Sequence, residues 1–155
     1  MASVLIIDGE LAAARDIANN LIRDLPRAGA GPTRVDVLAE ADFSRARARM
    51  KAMRPALMVT AVQLKQYNGM HLVYMASAAA LPTRCVVHTD AVDPIQAREV
   101  RENGAFYEIR SRLRVVLPAY VMAVLPPEDR RDPIKFDRRR LARGGRRSAD
   151  FHPSL

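Results

Sequence analysis

Residues 57–62 read Leu-Met-Val-Thr-Ala-Val, a short apolar run, and similar runs occupy residues 4–7 and 85–88. Each run is followed by a helical pattern, which is typical of parallel strands that are buried on both faces. The carboxyl ends of parallel strands meet at one edge of a sheet, so the residues at these three ends should meet in one crevice. Those residues are Asp8, Ala61 and Thr89.

The rest of the chain up to residue 125 completes five strand–helix units. Further strands are predicted at residues 34–38 and 105–109. Helices are predicted at residues 10–25, 42–53, 69–79, 94–103 and 111–125, and a polar loop at residues 63–68. Pro118 is expected to strain the last helix. Right-handed crossovers then predict an α/β fold, a doubly wound five-stranded parallel sheet with flanking helices, in which the first and third strands are neighbours. Residues 126–155 form an Arg-rich C-terminal extension of this domain.

The composition excludes several classes of protein. Of the 155 residues, 49% are apolar, which fits a folded globular chain. No apolar stretch approaches the roughly 20 residues that cross a bilayer, and the N-terminus lacks the pattern of a secretory signal. The single cysteine, Cys85, falls in an apolar strand, as an inert core thiol would. We therefore expect a cytoplasmic protein. No metal-ligand spacing and no nucleophile–base pair is visible, so we expect neither a cofactor nor an enzyme.

The strand ends carry a family resemblance. Leu5-Ile6-Ile7-Asp8-Gly9-Glu10, the interval from Pro55 to Gly69, Val86-Val87-His88-Thr89 and Gly104-Ala105 follow one another as in the receiver domain of bacterial two-component response regulators. The resemblance covers roughly residues 3–125. It implies two adjacent acids that hold Mg²⁺, an aspartate that accepts the phosphoryl group, a hydroxyl that binds a phosphoryl oxygen, and a lysine after the fifth strand.

This chain departs from that pattern at two positions. Gly9 stands where the second acid is expected, and Ala61 stands where the phosphoacceptor is expected. Thr89 supplies the hydroxyl, and the lysine position falls on Arg110 or Ser111. The resemblance thus implies a degenerate receiver with a vestigial phosphorylation pocket at Asp8, Gly9, Ala61, Thr89 and Arg110. His88 is expected to be a partly buried histidine with its hydrogen bonds satisfied.

The resemblance also implies where such a protein meets its partners. Receiver domains in general communicate through the face formed by the fourth helix, fifth strand and fifth helix, here about residues 94–103, 105–109 and 111–125. The last of these segments is apolar nearly all round, although a helix on a sheet hides only one stripe. A signalling protein (a kinase, a regulator or a larger assembly) or a second copy of the chain would cover this face. The alternative is that the C-terminal tail folds over it.

The tail is the second informative feature. Residues 126–155 hold nine Lys/Arg and five Asp/Glu, half of the net charge of +8. Arginine pairs bidentately with phosphate, so this tail predicts a phosphate-rich ligand. Arg147-Ser148-Ala149-Asp150 is similar to a motif of several cyclic di-GMP binders. The candidate ligand residues are Arg138, Arg139, Arg140, Arg143, Arg146, Arg147 and Asp150. Non-specific nucleic-acid binding and a merely solvated extension are the alternatives, whereas sequence-specific DNA recognition is disfavoured because no helix-turn-helix pattern follows.

Overall fold

The computed structural model of the protein describes residues 2–25 and 35–124. Its strands are β1 (Ala2–Ile7), β2 (Val35–Glu40), β3 (Leu57–Ala61), β4 (Gln63–Leu64), β5 (Tyr67–Asn68), β6 (Arg84–Thr89) and β7 (Phe106–Ile109). Five of them form one parallel sheet in the order β2-β1-β3-β6-β7. The predicted doubly wound sheet, with its first and third strands adjacent, is confirmed.

Five helices connect the strands. They are α1 (Leu11–Asp24), α2 (Phe43–Met53), α3 (Met70–Ala78), α4 (Pro94–Glu102) and α5 (Leu113–Val124). Side chains cap two of them: the carboxylate of Asp42 accepts from the backbone N–H of Arg45, and that of Asp93 accepts from Ile95 and Gln96. Such caps satisfy N–H groups that have no partner within the helix, so they fix where each helix begins.

Alternating strand residues divide the core between the two faces of the sheet. Leu5, Met58 and Val87 pack with residues of α2, α3 and α4 on one face. On the other face, Val59 and Val86 pack with residues of α1 and α5. Helices on both faces leave the carboxyl edge of the strands as the open side of the sheet, which is where α/β folds place their sites.

The predicted polar loop at residues 63–68 is wrong. The segment forms a small antiparallel hairpin, β4–β5, and the Leu64 side chain is buried in the core beneath it. Behind the hairpin, Gly69 approaches β3 so closely that a Cβ atom there would lie 2.0 Å from the carbonyl oxygen of Ala61. Contacts with the core, which the local polarity of the segment does not reveal, thus order it.

Two predicted boundaries also shift. β2 continues to Glu40 because Glu40 is in register with Ile7 of β1, and its carbonyl accepts from the backbone N–H of Asp8. The predicted last helix is split into a 3₁₀ turn, Arg110–Arg112, and α5, which continues through Pro118. That turn sets the direction in which Arg110 leaves the sheet.

Candidate functional site

The carboxyl edge of the sheet places the sequence-predicted residues at the ends of three neighbouring strands. Asp8 directly follows β1, Ala61 ends β3, and Thr89 ends β6. In the register of the sheet, Ile7 is opposite Thr60, and Ala61 is opposite His88. Ala61 therefore lies between the acid that follows β1 and the end of β6.

Arg110 bridges this edge. Its guanidinium donates to the buried carboxylate of Asp8 and, at 2.8 Å, to the exposed carboxylate of Asp90 after β6. Of the two positions considered from sequence, Arg110 is thus the one whose side chain reaches Asp8. The hydrogen bond and the charge of Arg110 hold the pKa of the Asp90 carboxyl below its ordinary value.

Ala61 brings a methyl group to the centre of this edge. The neighbouring Thr60 is fully buried, and its hydroxyl donates to the carbonyl oxygen of Ala61 at 3.0 Å. That hydroxyl is therefore a structural group within β3. Gly9 has space beside it: an added Cβ would meet its nearest neighbour, the carbonyl oxygen of Gln63, at an ordinary 3.4 Å.

Thr89 takes part in a different set of contacts. Its hydroxyl donates to the carbonyl oxygen of Ala91 at 2.7 Å and shares a hydrogen bond with the hydroxyl of Tyr107. The Tyr107 hydroxyl also accepts from the backbone N–H of Asp93, the N-cap of α4. The Thr89 hydroxyl is thus tied to β7 and to the start of α4, whereas Asp8 is tied to Arg110.

His88 is the residue of this site that sequence reasoning misjudged. The side chain is 1% exposed, and among the described residues neither ring nitrogen finds a hydrogen-bond partner. On one side it faces Ala61, which has no polar side-chain atom, and on the other Glu108, whose carboxylate accepts from the Tyr120 hydroxyl at 2.7 Å. The expectation of satisfied hydrogen bonds is wrong because both neighbours leave the ring without a polar contact.

Burial also sets the charge of His88. Desolvation and the nearby Arg110 cation lower the pKa of the imidazole to about 4, against a smaller opposing effect of Asp8 and Asp90. The ring is therefore neutral at pH 7, and the core beneath the Arg110–Asp8 pair holds an uncharged polar group.

No pattern in the sequence indicates the cleft of about 250 Å³ that lies between α1 and α5. Ile17, Leu21 and Leu117 line it with apolar surface, and Arg110 and Arg114 lie at its wall. Arg110 is thus shared between the carboxyl edge of the sheet and this cleft.

Comparisons with known proteins give a fold. No family model matches the chain, and no curated protein matches it significantly. Many solved structures do, and response regulators are among them. The DNA-binding response regulator of the LuxR family from Staphylococcus aureus matches with a TM-score of 0.66 at 13% identity, over 80% of this chain and 98% of that one. The receiver domain of the Francisella response regulator 1452 gives 0.66 at 14%, over 80% and 96%. The signal receiver domain of a DNA-binding response regulator from Colwellia psychrerythraea gives 0.61 at 13%, over 78% and 98%. The chain has the receiver fold.

The Mg²⁺ that a receiver resemblance implies does not fit these residues. Mg²⁺ requires several hard oxygen ligands in octahedral geometry. Of the three positions that the resemblance assigns to the metal ligands, only Asp8 carries a carboxylate, which is already paired with Arg110, and Gly9 and Ala61 supply no side-chain oxygen. Within the described residues no group of three His, Cys, Asp or Glu side chains could hold a metal.

Three further expectations meet the structure only in part. The Arg-rich tail, with Arg138–Arg140, Arg143, Arg146, Arg147 and Asp150, lies outside the described residues. Among the helices that are described, none is both long and apolar enough to span a bilayer. Cys85 is buried, and burial raises the pKa of its thiol to about 12, so the thiolate is scarce at neutral pH.

Proposed function

We propose that this protein is an atypical receiver-like signalling protein that acts through protein–protein contact without accepting a phosphoryl group. The observation that carries the proposal is the composition of the carboxyl edge. Ala61 offers no nucleophile where the receiver resemblance implies an aspartate, and the carboxylate of Asp8 is paired with Arg110. Phosphoryl transfer to a carboxylate requires an oxygen nucleophile and a cation that shields the phosphate charge. This edge supplies neither a nucleophile nor a metal site.

The ion pair gives the edge a fixed electrostatic state. The Asp8 side chain is 5% exposed and that of Arg110 is 36% exposed, so water screens part of the attraction between them. The Asp8 carboxylate is nevertheless out of solvent, and loss of the Arg110 cation would leave that buried charge without its partner. We infer that the conformation of this edge does not depend on an incoming phosphoryl group.

Phosphorylation by a small donor tests this inference directly. The full chain is incubated with ³²P-labelled acetyl phosphate and Mg²⁺ beside an intact receiver domain as the positive control. We expect label on the control and none on this protein. A hydroxylamine-sensitive label on this chain would show an acyl phosphate, and the proposal would then be withdrawn.

The face made by α4, β7 and α5 supports the second half of the proposal. Ile95 of α4 is 78% exposed, Val92 in the segment before α4 is 66% exposed, and Phe106 on the edge strand β7 packs against Tyr120 while remaining partly exposed. Apolar side chains grouped on one face are typical of an interaction surface. The partner on this face is proposed to be a signalling protein or a second copy of the chain.

Site-specific cross-linking tests which surface is used. A photo-cross-linking amino acid is placed at Ile95, and in a matched chain at Ile22, which is 50% exposed on α1, outside the proposed face. We expect cross-links from position 95 to one partner that persist without any phosphodonor. Equal cross-linking from both positions, or cross-linking that requires phosphodonor, contradicts the proposal. Sedimentation of the purified chain shows whether the partner is a second copy.

A further inference from the structure

Acidic residues are absent from a long central segment of this chain. Between Asp42 and Asp90 the chain contains no Asp or Glu, yet it contains seven Lys/Arg. This segment builds α2, β3, the β4–β5 hairpin, α3 and β6. Because β3 and the apolar part of β6 are buried, the exposed charge of the segment falls mainly on α2 and the hairpin, which lie on one face of the sheet with α3.

Helix α2 arranges its cations in a row. Arg47 and Lys51 follow Phe43 at intervals of four residues, so they lie on one side of the helix, and Lys51 is about 12 Å along the axis from Phe43. Arg54, at the end of the helix, extends the row. Arg49, on another side of α2, pairs with Glu40. Within residues 2–25 and 35–124, no ion pair forms to Arg47, Lys51 or Arg54.

Aromatic rings continue this row. The Phe43 ring, held in the core, stacks on Tyr67 of β5 with ring centroids 4.6 Å apart and planes within 14° of parallel. Tyr67 is 48% exposed, and Phe43 covers one of the two faces of its ring. The ring of His71, which is exposed in the first turn of α3, has its centroid 6.4 Å from that of Phe43. The centroid of the Tyr74 ring is 6.4 Å from that of His71. Helix α3, which contains no Asp, Glu, Lys or Arg, thus presents rings beside the cations of α2.

The cations of α2, which have no ion-pair partner among the described residues, lie beside the exposed Tyr67 ring, which stacks on the buried Phe43. This combination matches the chemistry of one class of ligand. Single-stranded nucleic acids bind where cations contact the phosphates and aromatic rings stack on the bases. An acidic protein segment would use the cations but has no planar base for Tyr67. A duplex would use the cations as well, but its bases are already stacked. We propose that the face formed by α2, the β4–β5 hairpin and α3 binds single-stranded nucleic acid, with Arg47, Lys51 and Arg54 on phosphates and Tyr67 stacked on a base.

Fluorescence anisotropy of the full chain tests the phosphate contacts. The probe is a fluorescein-labelled oligothymidylate about 12 nucleotides long, within the range that one such surface binds. The variant Arg47→Gln/Lys51→Gln/Arg54→Gln is compared with a control of equal charge, Arg15→Gln/Arg98→Gln/Arg112→Gln, whose arginines are exposed on other elements. Each phosphate contact contributes about 0.7 to the slope of log K against log salt, so the first variant should lower that slope by about 2. The control should leave it unchanged.

The ring is tested separately. Tyr67→Leu should weaken binding about tenfold through the lost stacking, whereas Tyr67→Phe, which keeps the ring, should bind as the parent does. Circular dichroism verifies that both variants remain folded, and the salt dependence of the two triple variants still tests the proposal if Tyr67→Leu does not fold.

Three results would overturn the proposal. Equal losses in the two triple variants would assign binding to net charge or to the basic tail. A duplex that binds as tightly as the single strand, with no effect of Tyr67→Leu, would remove base stacking. A polyglutamate peptide is added at a concentration at which its negative charges equal those of the probe. Displacement of the probe by this peptide would identify an acidic protein surface as the ligand instead.

Discussion

Replacement of His88 by Met should make the protein more stable, and increasingly so as the pH falls. A polar group buried without a hydrogen bond costs about 1–3 kcal/mol, and both ring nitrogens of His88 lack one among the described residues. Methionine is unbranched and adapts to the space that the ring leaves. At pH 7, where the imidazole is neutral, we therefore expect His88→Met to raise the free energy of unfolding by about 1 kcal/mol.

The pH dependence follows from the lowered pKa of His88. Burial lowers it from an ordinary 6.5 to about 4, so the unfolded chain binds a proton at this residue between those pH values while the folded chain does not. Stability is retained above pH 6.5 and is lost as the pH falls toward 4. Each unit of difference is worth about 1.4 kcal/mol, so the loss is about 3 kcal/mol. The His88→Met variant lacks this loss.

Urea unfolding followed by circular dichroism at pH 7, 6, 5 and 4 measures both effects. The difference between His88→Met and the parent should widen from about 1 kcal/mol at pH 7 to about 4 kcal/mol at pH 4, with the dependence on urea unchanged. His71→Gln, which removes an exposed imidazole, is the matched control for losing a histidine. A difference that is constant across these pH values would refute the reasoning, because it would mean that His88 protonates equally in both states.

Three further predictions concern other parts of the molecule. Gly69→Ala should cost about 3 kcal/mol or more in thermal unfolding, since its Cβ would strike the Ala61 carbonyl, whereas Gly104→Ala, which meets nothing but has a φ of 79°, should cost about 1–2 kcal/mol. A Tm that is equal for the two would contradict the packing at β3. Mg²⁺ at one hundred times its Kd should stabilise Gly9→Asp/Ala61→Asp by about 2.7 kcal/mol, seen as a rise in Tm that the parent lacks; no response would show that Arg110 still outcompetes the metal. Calorimetry with cyclic di-GMP on the full chain and on a chain ending at residue 127 tests the alternative drawn from the tail sequence: heat from the full chain alone would assign the ligand to the tail, and equal heats would exclude the tail as the site.

The fold was predictable because its signals are local and mutually consistent. The apolar runs ending at Asp8, Ala61 and Thr89 each fit a strand that is buried on both faces, and right-handed crossovers leave few ways to arrange five such units. Caps such as Asp42 and Asp93 mark helix starts in the sequence itself. The β4–β5 hairpin was missed because its order comes from Leu64 contacting residues remote in the sequence.

The site was predictable in its membership but not in its contacts. The strand pattern placed Asp8 and Ala61 at strand ends, and the receiver resemblance left Arg110 and Ser111 as alternatives for the lysine position. Which carboxylates the Arg110 side chain reaches depends on the 3₁₀ turn from which it leaves. The state of His88 depends on its register partners, Ala61 and Glu108, which belong to two other strands. These strand neighbours are far apart in the sequence, so the lack of hydrogen bonds to the His88 ring could not be predicted from the sequence.

The Arg110 bridge between Asp8 and Asp90 has a consequence for how such a protein could be regulated. The Arg110 guanidinium is a counter-ion that belongs to the chain itself. Every molecule carries one, and a cell cannot change its amount without changing the amount of the protein. Under the proposed function, this covalently attached counter-ion keeps the carboxyl edge in one state, so the protein has no second state to which it can switch. The quantity that carries information is then the number of copies present relative to the partner, so such a protein would act by stoichiometry, through its synthesis and removal.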